Sequence, residues 1–304
     1  MQDGQAGRVS VCTVTSAPAG PEPWPIPPLF AQLVDDTSLL QPREVAPEVD
    51  AVVARYLAAR DGRYGGLVGQ LHCPVSRLAV LVTELARSAP ARPVDVSLVV
   101  DTGLGAVPKA LSTVFSRSSL LVPRTVETAA PVDVDDVWLE RVSEFVPDDV
   151  AAVVEPRRPA SGDAADTAAW LNAVRRVAEH GCVPKLRCGG PRASDVPAIE
   201  EVERFIRVAA EARRAFVVIG LAGAVREPDT PGHGVLNLLV AVSRVLSGGD
   251  VRGALSCTDA AVIAEEAYGL SDSEAKAVRE LLPRLGADAV PAPAAILADL
   301  AQLT

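Results

Sequence analysis

Two cations stand two residues apart in the segment Val183-Pro184-Lys185-Leu186-Arg187-Cys188-Gly189-Gly190. On a strand that spacing projects both onto one face, where they repel unless a carboxylate or an anionic ligand sits between them. Glu155, at the end of Val153-Val154, offers the carboxylate, and the two glycines leave backbone N–H groups open to an anion. The constellation suits a small metabolite bearing a carboxylate or a phosphate. Glu155 is then the expected acid/base, Lys185 the base or electrophile, and Arg187 the anion clamp, with Gly189 and Gly190 beside it. The same residues equally suit an ion-pair network that plugs a barrel lumen.

Other polar residues fall where strands should end. Asp101 closes Val99-Val100 and Glu127 follows Val126, so both are expected to help bind the ligand. The loop from Arg226 to Gly234 carries Arg226 and His233 and leads into a helical stretch, 235–245, on which Asn237 lies one turn after His233. These three are expected at the same mouth, although His233 would serve as well as a simple helix cap. His72-Cys73 could join Cys188 and His233 in a soft-metal or thiol site, but no spacing requires it. With no Cys-x-x-Cys pair and no histidines at i, i+4, a metal is not expected. Asp35-Asp36 is either a catalytic or metal-binding pair, or a helix-capping aspartate followed by a solvated one.

The elements that must position these groups alternate. Short β-branched runs at 66–73, 94–101, 124–130, 150–156, 182–188 and 216–223 are followed by amphipathic stretches at 75–87, 104–116, 134–145, 164–180 and 199–213. In the last, Ile199, Val202, Phe205, Ile206 and Ala209 recur at helical spacing. Such repeated βαβ units predict one (β/α)8 TIM-like barrel over 29–304, with a helical C-terminal part hiding one or two strands, one of them near 287–290. A doubly wound open sheet is the alternative. It is disfavoured because no Gly-x-Gly-x-x-Gly follows the first strand and no Walker-type Gly-Lys-Ser/Thr occurs. Residues 1–28 form a proline-rich arm, expected to be extended.

The 304 residues are 49% apolar, 22% charged and 4% aromatic, with a formal net charge of −10. That balance argues against general affinity for nucleic acid or anionic membrane. No apolar run reaches the roughly 18 residues of a membrane span, and five widely spaced cysteines fit reduced thiols. A cytoplasmic protein with a small anionic metabolite as partner is expected. The sequence names no cofactor and leaves a homo-oligomer open.

From about Leu33 onward, the chain resembles a family of uncharacterised (β/α)-barrel proteins of high-GC actinobacteria. The strand end Lys185-Leu186-Arg187-Cys188-Gly189-Gly190 is close to that family's Lys-Leu-Arg-Thr-Gly-Gly. Asp35-Asp36-Thr37-Ser38-Leu39-Leu40-Gln41-Pro42 stands at its Asp-Asp-Ala-x-x-Phe-Pro-Pro. Where the family carries Phe-Lys-Ala-Thr-Ala-Gly-Leu-His-His, this chain has Ala215 to Gly223, and where it has Gly-Ser-Cys-Ser, this chain has Gly286-Ala287-Asp288-Ala289. The resemblance implies the barrel fold but no reaction. It also implies that a strand lysine has become Phe216, paired histidines Ala222 and Gly223, and a Ser-Cys pair Ala287 and Asp288. Chemistry would then rest on Glu155 and Lys185 in a cofactor-independent lyase or isomerase, or only binding would remain.

Overall fold

The computed structural model describes residues 25–288 apart from 43, 161 and 191, together with Leu297. Most of the proline-rich arm and the last residues of the chain therefore lie outside the described residues. Eight strands close into one parallel barrel in sequence order. They are β1 Val34–Asp36, β2 Val68–Pro74, β3 Val94–Val100, β4 Leu121–Ala129, β5 Ala151–Glu155, β6 Val183–Arg187, β7 Val217–Ile219 and β8 Arg284–Ala287. Pairing of Val34 with Leu285 joins the last strand to the first.

Helices cover the outside: α1 Val49–Arg60, α2 Leu78–Ser88, α3 Val107–Phe115, α4 Asp136–Phe145, α5 Ala164–Glu179 and α6 Ile199–Glu211. A helical C-terminal part follows β7, with α7 Val235–Ser247, α8 Val251–Ser256, α9 Ala260–Tyr268 and α10 Asp272–Leu281. Among the described residues, no helix is long and apolar enough to cross a membrane. Aspartates set several starts. Asp135 accepts from Trp138 N at 2.7 Å ahead of α4, and Asp163 accepts from Ala165 N at 2.7 Å ahead of α5.

Strand alternation divides the labour. One set of side chains, including Leu71, Cys73, Leu98, Val126, Leu186, Val218 and Leu285, belongs to the apolar core shared with the helices. On α6, Val202, Phe205, Ile206 and Ala209 are all buried, as their spacing predicts. The alternate set points into the lumen, and there the side chains are mostly polar.

That polar lumen explains where sequence periodicity misleads. Asp35-Asp36 lies on a strand and caps no helix; β1 is only three residues long, and aspartate is poorly represented in strands. The strand expected near 287–290 is Arg284–Ala287, in which Leu285 alone offers an apolar signal. β4 starts at Leu121, three residues before the expected start, because Pro123 and the exposed Arg124 break its apolar run. β7 stops at Ile219 because Gly220 takes a left-handed φ of +75°.

Gly220 also meets the end of β6. A Cβ on Gly189 would stand 2.3 Å from Gly220 O, so only glycine lets these strand ends approach. Gly189→Ala is expected to lower stability by about 1–3 kcal/mol, read as a fall in the urea midpoint. A Cβ on Gly105 meets nothing within 4 Å, and Gly105→Ala should stay within about 0.5 kcal/mol of the parent. Equal midpoints for the two variants would contradict the close approach.

Candidate functional site

TIM-barrel lumens are generally filled by branched aliphatic side chains. This one holds a line of alternating charge running from the floor to the mouth. At the floor the Gln70 amide oxygen accepts from Arg284 Nε at 2.8 Å, and its nitrogen donates to Thr125 Oγ1 at 2.9 Å. Asp35 Oδ1 accepts from Gln70 N at 2.6 Å and stands 3.6 Å from Arg284 Nη1. Gly69 makes room for that carboxylate, since a Cβ there would sit 2.1 Å from Asp35 Oδ1. Asp35 Oδ2 lies 3.2 Å from His72 Nε2, and His72 Nδ1 lies 3.4 Å from Glu127 Oε1.

Glu127 is the centre of the line. It accepts from Ser97 Oγ at 2.8 Å and from Lys185 Nζ at 2.6 Å. Lys185 stands 3.6 Å from Glu155 Oε2, and Glu155 in turn accepts from Arg187 Nε at 2.7 Å and Nη2 at 3.0 Å. Burial by itself would raise the Glu127 pKa. His72, Lys185 and the Ser97 hydroxyl outweigh burial and pull it down from 4.5 to about 2. Burial likewise opposes the Arg187 charge, but the paired bonds from Glu155 raise its pKa overall.

The line meets solvent at the C-terminal ends of the strands. A cavity of about 400 Å³ opens there, lined by Asp101, Glu127, Glu155, Lys185, Arg187 and Arg77 together with the segment 39–42. Exposure is graded along the line: the side chains of Glu127 and Lys185 are 5% and 3% exposed, those of Glu155 and Arg187 22% and 47%. Glu155 is thus the innermost carboxylate a ligand reaches easily. A neighbouring recess of about 440 Å³ brings Gly189 and Gly190 beside Arg187, Thr37 and Asp288.

The sequence-derived residues divide accordingly. Asp101, Glu127, Glu155, Lys185 and Arg187 share the mouth cavity, and the two glycines flank it. The Asp101 carboxylate is engaged by Ser76 N at 3.1 Å and by the Ser76 hydroxyl. Arg226, His233 and Asn237 line neither recess and instead fix the loop between β7 and α7. Arg226 Nη1 donates to Gly232 O at 2.6 Å, and His233 Nε2 donates to Pro197 O at 2.8 Å. Asn237 accepts from Arg226 N at 2.8 Å and donates to Ala254 O and Cys257 O. Burial pushes the His233 pKa down, opposed by the Pro197 hydrogen bond, which suits a neutral ring inside the fold.

Among the described residues, no group of three or more His, Cys, Asp or Glu side chains is arranged to hold a metal. Burial pushes the Cys73 thiol up to about 12 and that of Cys188 higher still, which disfavours the nucleophilic thiolate. Phe216 packs edge-on against Phe205 of α6 with ring centres 5.5 Å apart, outside the barrel wall. Asp35, Gln70, His72, Ser97, Arg284 and Arg77 were not expected to act together at one site. Gln70 and His72 carry a legible signal, two polar residues at a spacing of two within an apolar run. Arg284 and Arg77 carry none.

No family model matches the chain, and no curated protein does. Among solved structures, it aligns with the carboxyl transferase domain of Rhizobium etli pyruvate carboxylase bound to pyruvate, at 9% identity and a TM-score of 0.45 over 83% of this chain and 48% of that one. A longer structure of that carboxylase with the activator acetyl coenzyme A aligns at 10% identity and a TM-score of 0.44, over 88% of this chain and 25% of that one. A Burkholderia cenocepacia protein whose lyase/mutase assignment is provisional aligns at 18% identity and a TM-score of 0.29, over 74% and 87%. The chain therefore spans about half, or a quarter, of the carboxylase chains it matches. At such scores these likenesses carry no functional assignment.

Glu127→Gln is expected to cost about 3 kcal/mol at pH 7, as breaking a buried ion pair does. Because the folded pKa of Glu127 lies below its ordinary 4.5, its stabilisation is complete above pH 4.5 and fades as pH falls toward 2. Urea unfolding between pH 6 and pH 2 should therefore show a steeper acid decline for the parent than for the variant. Parallel declines would contradict the assignment.

Proposed function

We propose that the protein is a barrel enzyme that moves a proton on a small metabolite carrying a carboxylate or phosphate, in a lyase- or isomerase-type reaction. The observation that carries this is the placement of Lys185 and Glu155 3.6 Å apart where a buried ionic line opens into a cavity of about 400 Å³.

In this scheme Glu155 takes the proton beside a carbonyl, and Lys185 donates to the carbonyl oxygen as charge develops there. An ammonium has three donors, and Glu127 and Glu155 engage no more than two of them, which leaves one for the ligand. Arg187 uses Nε and Nη2 on Glu155 and keeps Nη1 for the anionic end. Arg77, whose Nη1 finds no hydrogen-bond partner among the described residues, faces the same cavity and holds that end from the other side. Anion binding would compete for Arg187, loosen its hold on Glu155 and free that carboxylate to act as a base. Glu127 is a positioning residue that fixes Lys185.

A second reading is a barrel that binds an anion without turning it over. It is favoured by the saturation of the line, in which Asp35, Glu127 and Glu155 each already have a cationic or imidazole partner.

Proton transfer is testable without a known substrate. The protein is incubated in D2O with a mixture of small oxo- and hydroxy-acids and phosphate esters, and products are read by mass spectrometry. The enzyme reading expects deuterium uptake or isomer formation in at least one compound, reduced about 10²–10⁴-fold by Glu155→Gln. Glu155→Gln is preferred to Lys185→Met, which would strand the buried Glu127 without its cation. An unchanged mixture, or full activity in Glu155→Gln, would refute catalysis through Glu155.

A further inference from the structure

Beside the mouth cavity a smaller recess, of about 200 Å³, opens between the segments that follow β5 and β6. It shares Glu155, Lys185 and Arg187 with the main cavity and adds Arg157, Arg158 and Trp170. We propose that this recess is a phosphate subsite, so that the substrate carries a phosphoryl group remote from the carbon on which proton transfer occurs. The proposal rests on the reading of the main cavity as the reaction site, and it narrows the metabolite from any small anion to a phosphorylated one.

Three observations point the same way. The recess gathers cations in an acidic chain of net charge −10: Arg157, Arg158, Lys185 and Arg187 line it beside Glu155 and Asp195, while Glu201 and Glu127 pair with Arg158 and Lys185 from outside the lining and leave Arg157 without a counter-charge. Its arginines are not all spent. Arg158 is bound to Glu201 at 3.1 Å and Arg187 to Glu155 at 2.7 Å, whereas Arg157 is exposed and has no hydrogen bond or ion pair among the described residues. The planar, multiply donating guanidinium suits phosphate oxygens in particular.

Trp170 supplies the third. It lines the recess and is 4% exposed, yet its Nε1 has no acceptor among the described residues. A buried N–H without a partner is costly, and a ligand oxygen would satisfy it once binding turns that edge of the indole, now closed to solvent, toward the recess. Size agrees as well. At roughly 30 Å³ for each water-sized group, 200 Å³ admits a phosphoryl group and a few linking atoms. The linked carbon would then pass the Glu155–Arg187 pair into the main cavity, within reach of Lys185.

The test needs no substrate. Inorganic phosphate is titrated into the full-length protein at constant ionic strength, followed by indole fluorescence and calorimetry, with acetate as the comparison anion. The proposal expects saturable phosphate binding, at least tenfold stronger than acetate binding, with a change in indole emission. Arg157→Ala should weaken phosphate at least tenfold. Trp170→Phe should weaken it and abolish the emission change while the circular dichroism stays that of the parent. No saturation, or equal binding by the parent and Arg157→Ala, would overturn the subsite. Phosphate binding of the expected kind without deuterium uptake in any phosphate ester would leave the subsite standing and remove the catalytic reading. Uptake confined to unphosphorylated acids would do the reverse.

Discussion

A single contact, Lys185 Nζ to Glu127 Oε2 at 2.6 Å, stands in the interior of the barrel and ties its ionic line together. Both partners are almost wholly removed from water, so removing either leaves the other buried without its nearest counter-charge. The contact crosses the lumen from β4 to β6 and skips the strand between them. It therefore acts as a strut as well as an ion pair. Toward the floor, His72 and Asp35 extend it to Arg284; toward the mouth, Glu155 and Arg187 extend it into solvent.

An ionic lumen is a poor source of stability by itself, because desolvation offsets most of the Coulombic gain. The apolar layer between strands and helices supplies the cohesion instead, through residues such as Leu71, Leu98, Leu186 and Val218 on the strands and Leu81, Val114 and Phe205 on the helices. Charge inside and hydrocarbon outside separate the two tasks of a barrel strand. The inner residues are free to differ in chemistry as long as their charges balance, while the outer ones must match the helices in volume. The mouth, where Glu155 and Arg187 are partly hydrated, is where that balance is easiest for an incoming anion to disturb.

Much of this was legible in the residues. The alternation of 94–101 with 104–116, or of 182–188 with 199–213, carries the barrel, since β-branched runs and helical spacing differ in period. Lys185 and Arg187 were legible as one face because strand period is two, and Glu155 because it ends the preceding strand. The short strands were not. β1 and β8 offer periodicity only Val34 and Leu285 as large apolar residues, because Asp35 and Arg284 serve the lumen and Asp36 turns to Arg55 of α1. The partnership of Asp35 with His72 spans 37 residues and that of Glu127 with Lys185 spans 58, and no local pattern encodes such pairings. His233 and Asn237 looked like site residues because the loop before α7 has the right position. Their side chains are consumed in closing that loop on Pro197, Arg226 and the end of α8.

The claim that a balanced ionic line organises this interior comes down to the ionisation of Glu127 in the folded protein. Carboxyl carbon NMR of the folded chain, followed from pH 6 downward as far as the fold persists, reads that state directly. The structure predicts that the Glu127 resonance keeps its ionised shift through pH 4.5 and moves only as pH approaches 2. A midpoint at or above 4.5, observed while the protein remains folded, would mean that Lys185 and His72 do not hold the charge, and the account would fail.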